Sequence, residues 1–373
     1  MKQWILWVGT VGLSVAVAAW PALAQETGSV VPSAVFDWKV RPEVGSRYVR
    51  RTFNRTQMQM SGLPSVPVRS RGSAAGKGSK TPTSVSMNTI VSSVADYDVL
   101  SRDAQGATTV KLTYRTYRTF SSNTSTFMPG VSMAAVRTAQ DRQSKMMQDI
   151  FAGLILTMKI APDGRIWSVL GLDKLRSRMT RVFASMPGGG AAVQMLGKDF
   201  LSEDSYKKAL AQNMGALPPH PIVPGDSWPY QISLPLPMGI SSGIQGTRTL
   251  VSRRDGVATI KDSSTFNLTQ DASKPGTSAS APPSAQFPIP GFAMRLQGNQ
   301  DGSTTVDEAS GLPREASTSM VMSGHMTFPD PRASSASAAK PKPGASPSFS
   351  PIRITITGRS TTRTVLEPVA KPA

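Results

Sequence analysis

Over much of this chain apolar and polar residues alternate with a period of two, and no other feature restricts the fold as strongly. Val110, Leu112 and Tyr114 are interleaved with Lys111, Thr113 and Arg115, and Ile352, Ile354 and Ile356 with Arg353, Thr355 and Thr357. Successive side chains of a strand point to opposite faces, so these runs predict antiparallel strands with one buried and one wet face. Asp163-Gly164, Asp255-Gly256 and Asp301-Gly302 sit between such runs. Each pair supplies the φ > 0 residues that a two-residue hairpin loop needs.

Three stretches in the middle of the chain carry a helical period instead. Residues 139–150 are polar and Met-rich without a breaker. Residues 172–186 gather Leu175, Met179, Val182 and Phe183 on one face, and residues 203–214 follow a Ser202 cap and stop before Gly215. Strands on both sides of a segregated helical block predict an α+β fold: a large curved antiparallel β-sheet with a central helical block. Three segments (70–83, 271–286 and 333–348) are too poor in apolar residues to offset the entropy of ordering and read as mobile loops.

The N-terminus reads as an export signal. Lys2 precedes an apolar run from Trp4 to Trp20, Pro21 breaks it, and Ala22-Leu23-Ala24 offers small residues at the cleavage positions. The expected mature protein is exported to the periplasm or the outside of a bacterium, with no transmembrane segment once 1–24 is removed. Cysteine is absent from all 373 residues, which excludes disulfides, thiolate metal sites, cysteine nucleophiles and lipoprotein acylation. An exported chain without disulfides must build a real hydrophobic core. Lys and Arg number 41 against 23 Asp and Glu, a formal charge of +18. That balance points to anionic lipid or envelope polymer, since export argues against nucleic acid.

Three sequence matches recur in the same order and are compatible with a duplicated β-unit. Val44-Gly45-Ser46-Arg47-Tyr48 spaces glycine and aromatic as Pro224-Gly225-Asp226-Ser227-Trp228 does. Leu100–Lys111 parallels Val251–Lys261, and Met158–Ile166 parallels Leu296–Thr304. The expected organisation is a signal at 1–24, a linker at 25–36, a first β-unit with the helices at 37–217, a second β-unit at 218–367 and a tail at 368–373. Leu217-Pro218-Pro219, then Val223-Pro224-Gly225-Asp226-Ser227-Trp228 and the later Asp-Gly pairs, resemble a family of secreted bacterial proteins of unknown function with a Val-x-Gly-Asp-x-Trp motif. The resemblance implies an exported β-rich domain and carries no activity or catalytic residue.

Motifs with chemical potential are few. Gly239-Ile240-Ser241-Ser242-Gly243 fits the nucleophile elbow G-x-S-x-G, and Asp271, Asp301 or Asp307 followed by His325 supplies the order of a serine hydrolase triad. The strand–helix alternation that such a hydrolase requires is missing. Ser205-Tyr206-Lys207-Lys208 fits S-x-x-K without its companion motifs. His220 and His325, the two histidines, lack neighbours at ligand spacing, so no metal and no cofactor is expected. The weak ligand-binding candidates are Trp228 as a stacking platform, Met179 as an adaptable apolar contact, and Arg47 and Arg51, which share one strand face with Arg55, Val49 and Phe53. For each, a structural role (turn, core, solubilising charge) competes and leads. The favoured reading is a non-enzymatic exported protein holding a lipid or other amphiphile between sheet and helices. The alternatives are a structural or adhesion module that meets anionic cell-wall polymer through a basic surface and, third, a serine hydrolase.

Overall fold

The computed structural model describes residues 35–63, 83–125, 133–185, 217–235, 241–270, 293–328 and 352–370. The expected signal, the third expected helix at 203–214 and the three loops lie outside these residues, save Thr83, which opens a strand. The first half of the chain forms β1 (Arg47–Leu63), β2 (Thr83–Arg102), β3 (Thr108–Ser125), α1 (Met133–Phe151), β4 (Ile155–Ile160), β5 (Ile166–Leu170) and α2 (Leu172–Ala184). The second half forms β6 (Ser227–Pro235), β7 (Ser241–Arg254), β8 (Val257–Gln270), β9 (Ala293–Asp307), β10 (Pro313–Phe328) and β11 (Ile352–Pro368).

All eleven strands join one sheet in the order β5-β4-β3-β2-β1-β11-β10-β9-β8-β7-β6, every pair antiparallel. The chain starts at the centre, works outward to the β5 edge, begins again at the β6 edge and returns beside its own first strand. The protein is therefore β-rich, and the expected α+β fold with a central helical block is wrong. Among the described residues there are two short helices, and they cover only the β2–β5 end. Six of the strands have 15 or more residues, too much one-sided apolar surface for the two described helices to cover.

The alternation read from sequence holds, and a bulge re-phases it once. Val110 and Leu112 are buried and Lys111 and Thr113 point outward. Beyond the register shift at Val94/Ala95, Tyr117, Thr119 and Ser121 take over the inner face. On β11, Ile354 and Ile356 are buried as expected. Helix α1 is pinned by Phe151, whose ring stacks on Tyr117 with centroids 4.5 Å apart. Arg178 of α2 donates from Nη1 to the carbonyls of Ile150 and Ala152, capping the end of α1.

A short segment before β1 ties the two halves together. Phe36 and Ile222 exchange backbone hydrogen bonds of 2.7 and 3.0 Å, Val40 N–H donates to Pro162 O (2.8 Å) and Arg41 N–H to Ser310 O (2.8 Å). Trp38 is buried and donates from Nε1 to Gly311 O at 3.0 Å. The turns it meets are equivalent: Pro162 lies between β4 and β5, Ser310 between β9 and β10. The turns that begin the two halves also share a bonding pattern. Gly45 N–H donates to Val99 O and Val99 N–H to Ser46 O, while Gly225 N–H donates to Leu250 O and Leu250 N–H to Asp226 O. Register shifts follow at Val99/Ser101 and at Leu250/Ser252. The third sequence match fails. Asp163-Gly164 and Asp255-Gly256 are turns, but Asp301-Gly302 lies inside β9, where Gly302 faces Thr318 and Asp262.

Two predictions test this lower end. Gly311 has φ 66°, and a Cβ there would stand 1.8 Å from Lys39 O. Gly311→Ala is expected to destabilise by roughly 3 kcal/mol or more, read as a lowered urea midpoint. Burial disfavours the charged form of Asp307, but the Ser310 N–H, the Arg314 guanidinium and the Ser310 hydroxyl outweigh it and hold its carboxyl below the ordinary range. A lowered folded pKa gives stability that is complete above the unfolded value, near 4, and lost as pH falls through the folded one. The Tm difference between wild type and Asp307→Asn should stay constant above about pH 5 and shrink steadily below about pH 4.

Candidate functional site: the inner face of the sheet

Reading inward-facing residues strand by strand divides the inner face into three zones. The lowest is apolar core. Around α1, α2 and β2–β5 it comprises Val99, Val110, Leu112, Met146, Ile150, Leu156, Leu175 and Met179 among others. On the other half, Phe36, Trp38, Ile222, Trp228, Leu250, Ile260 and Val306 form a second cluster, and Leu217 packs against both.

Above this core runs a belt of hydroxyls and amides. Asn54 donates from Nδ2 to Thr362 Oγ1 (2.6 Å) and Ser360 Oγ (3.2 Å). Thr56 bonds Asn54 Oδ1 (3.1 Å) and Ser360 (2.9 Å), Thr52 bonds Thr364 (3.3 Å), and Thr89 bonds Ser121 (3.3 Å). The belt continues through Thr318, Gln300 and Ser264 by register. Buried polar groups are costly unless paired, and this belt mostly pairs with itself.

The third zone, nearer the β1–β2 and β10–β11 connections, is apolar again. Met58, Met87, Leu296, Ile354 and Ile356 are buried there, with Met60, Leu268, Met294, Met326 and Ile352 packed against them and only partly buried. Five of these ten side chains are methionines, the residue type that adapts best to an irregular apolar partner. Glycines on the inner face let the sheet curl here. A Cβ on Gly298 would stand 2.5 Å from the Phe266 ring and one on Gly246 2.7 Å from Tyr230.

Two arginines point inward at the boundary between core and belt. Arg248 on β7 is neutralised by Asp262 (Nε to Oδ2 3.0 Å), and its guanidinium lies 5.0 Å from the centroid of Tyr230. Tyr230 donates its hydroxyl to Asp262 at 2.8 Å. Burial, then the Asp262 charge, push the Tyr230 phenol up to about 12. Arg50 on β1 has no acidic partner among the described residues, and its Nε is buried without a hydrogen bond.

The residues expected to bind ligand are placed otherwise. Met179 (7 % exposed) packs α2 on the sheet, and Trp228 (3 % exposed) belongs to the second core cluster. Asp226 accepts the Val223 N–H at 2.8 Å, so Val223–Trp228 is a turn leading an aromatic into the core. Arg47 and Arg51 lie on the outer face, where Asp98 (2.9 Å) and Glu367 (3.2 Å) pair with them. Farther along that face Arg55, Arg353 and Arg359 are exposed and lack a carboxylate partner among the described residues. Met146, Met147, Ile150, Leu175 and Met179 pack together in the contact between helices and sheet. Ser241 and His325 sit at one level of the sheet but three inter-strand steps apart, about 14 Å, so they do not form a catalytic pair. Ser205 and Lys208 lie outside the described residues. His220 is exposed, and among the described residues no group of three acidic or histidine side chains could hold a metal. Also among them, no helix is long and apolar enough to cross a membrane.

A single open sheet, curled around a zoned inner face, thus defines the class of protein. The chain belongs to DUF6263, a family of unknown function, whose model matches residues 107–313, more than half of the 373. No curated protein matches it. Among solved structures it is similar to lipovitellin, described for its lipid–protein interactions, at 8% identity and TM-score 0.39, covering 89% of this chain. The chain spans only 26% of that protein's length. An outer membrane channel from Pseudomonas putida F1 matches at 10% identity and TM-score 0.19, covering 91% of this chain and 100% of its own. The P. putida toluene transporter TodX matches at 7% and 0.18, covering 88% and 91%. Likenesses at these scores establish no shared fold.

The Arg248–Asp262–Tyr230 cluster is directly testable. Asp262→Asn leaves a mostly buried guanidinium without its counter-charge and should cost about 3 kcal/mol. Because the Tyr230 phenol rises from 10.0 to about 12, its share of stability is complete below pH 10 and lost as pH climbs through 12. In Tm measurements across that window, Tyr230→Phe should lose less stability than wild type.

Proposed function

We propose that the protein is a non-enzymatic exported binding protein whose inner sheet face takes a lipid or other amphiphile. One observation carries this reading: a second, methionine-rich apolar zone is separated from the structural core by a polar belt. A sheet stabilised only by its core has no need of a second apolar zone above a hydrogen-bonded belt. An amphiphile offers complementary chemistry, an apolar chain against Met58, Met60, Met294 and Met326 and a polar group within reach of the belt. The signal-like segment at 1–24 supports export to the envelope, where such ligands are found.

Mass spectrometry of organic extracts from protein purified mildly from its native host tests the proposal. One amphiphile class is expected near one-to-one, and Met60→Glu, at a partly buried position of the zone, should lower its recovery at least tenfold. Extracts empty from both would contradict it.

A second reading rests on the outer face, where Arg55, Arg353 and Arg359 give a contact for an anionic envelope polymer or lipid surface. Binding to such a surface should weaken steeply between 50 and 300 mM salt in the wild type and be largely lost in the triple glutamine variant. Salt-independent binding would remove this reading.

A further inference from the structure

The two arginines at the boundary between core and belt differ in one respect. Arg248 has Asp262 as counter-ion and Tyr230 as roof. Arg50 has neither among the described residues, although it too stands at the margin of the core, one inner position beyond Tyr48 and level with Leu366, both of which pack against the core. By register Arg50 faces Ala95 on β2 and Leu366 on β11, and Tyr97 is its diagonal neighbour on the same face, since Tyr48 pairs with Tyr97. Tyr97 is 7 % exposed, and its hydroxyl, like Arg50 Nε, is buried without a hydrogen-bond partner. The flanking carboxylates on these strands, Asp96, Asp98 and Glu367, all point to the outer face, where Arg115, Arg47 and Arg51 take them.

Single hydroxyls such as Thr119 and Ser264 are also buried without a partner, but among the described residues only here do an unpaired guanidinium N–H and an unpaired phenol lie on neighbouring inner positions, a costlier combination because one of the groups is charged. Such groups persist where a ligand completes them. We infer that Arg50 and Tyr97 are the oxyanion-recognising pair of the inner face, receiving the phosphate or carboxylate of the bound amphiphile. The inference rests on the amphiphile reading and names the ligand's charge and length. Burial raises the Tyr97 phenol well above its ordinary value, so it stays protonated and donates to the anion alongside the guanidinium. Arg50 and Met58 are eight residues apart on β1, about 26 Å of extended strand. One molecule engaging both must be long, so a short-chain anion will not serve.

Isothermal titration of the purified protein with palmitate, monopalmitoylglycerol, octanoate and inorganic phosphate tests this. The wild type should bind palmitate at least about tenfold more tightly than the neutral monopalmitoylglycerol, and octanoate at least about tenfold more weakly than palmitate. Arg50→Gln should abolish the preference for palmitate while leaving monopalmitoylglycerol binding unchanged. Ligand-free Arg50→Gln should melt no lower than wild type, because the replaced group has no acidic partner among the described residues and its Nε is unpaired. Equal binding of palmitate and monopalmitoylglycerol, unaltered in the variant, would overturn the oxyanion assignment and leave the amphiphile reading standing. Arg50-dependent binding of phosphate alone would mark a free-anion site and overturn the headgroup assignment. Absence of all binding would remove both proposals, and a lowered Tm with unchanged selectivity would make Arg50 a structural residue.

Discussion

Two hydrogen bonds from adjacent residues fix the shape of the molecule. Val40 donates to Pro162 and Arg41 to Ser310, each at 2.8 Å, so the two carbonyl oxygens lie within about 9 Å of each other. Measured along the sheet, β4 and β10 are five inter-strand steps apart, about 24 Å. Only a sheet curled back on itself satisfies both distances. The tie also brings Phe36 and Trp38 into the second core cluster and Val40 into the first, so the apolar clusters of the two halves assemble against one strap.

Curling solves the problem that eleven one-sided strands create. An apolar face needs a second layer; among the described residues two helices cover only the β2–β5 end, and curvature and the strap bury the second core cluster. Curvature in turn demands small residues inside, which explains Gly246, Gly298 and Gly358 on the inner face of β7, β9 and β11 and the aromatic rings that fill beside two of them. Because the strap closes the lower end, the polar belt and the methionine zone are left above it on the same face. The functional proposals thus depend on the same two bonds as the fold.

Much of this was legible in the sequence, and the failures have identifiable causes. Period-two alternation located strands correctly at Val110–Tyr114 and Ile352–Ile356, and a helical period found α1 and α2. What alternation could not convey is which layer covers the buried face, so the helices were given a central role that the sheet itself fills. Asp301-Gly302 misled because a glycine needed for an inward close approach reads like a glycine needed for a turn. Arg47 and Arg51 drew attention as a basic stripe, but their neutralising partners, Asp98 and Glu367, stand 51 and 316 residues away. The same alternation that puts Arg47 and Arg51 outside turns Arg50, between them, inward, but nothing in the sequence distinguishes it from its neighbours until the register is known. The belt and the methionine zone involve six or more strands and emerge only with the register.

A ligand held in the methionine zone and one held at the helix–sheet contact are separated by methyl NMR on methionine-labelled protein. On titration with palmitate, the methyl signals of Met58, Met60, Met87, Met294 and Met326 should shift together, while those of Met146, Met147 and Met179 stay fixed. Shifts confined to the latter three would place the ligand against the helices and contradict the account.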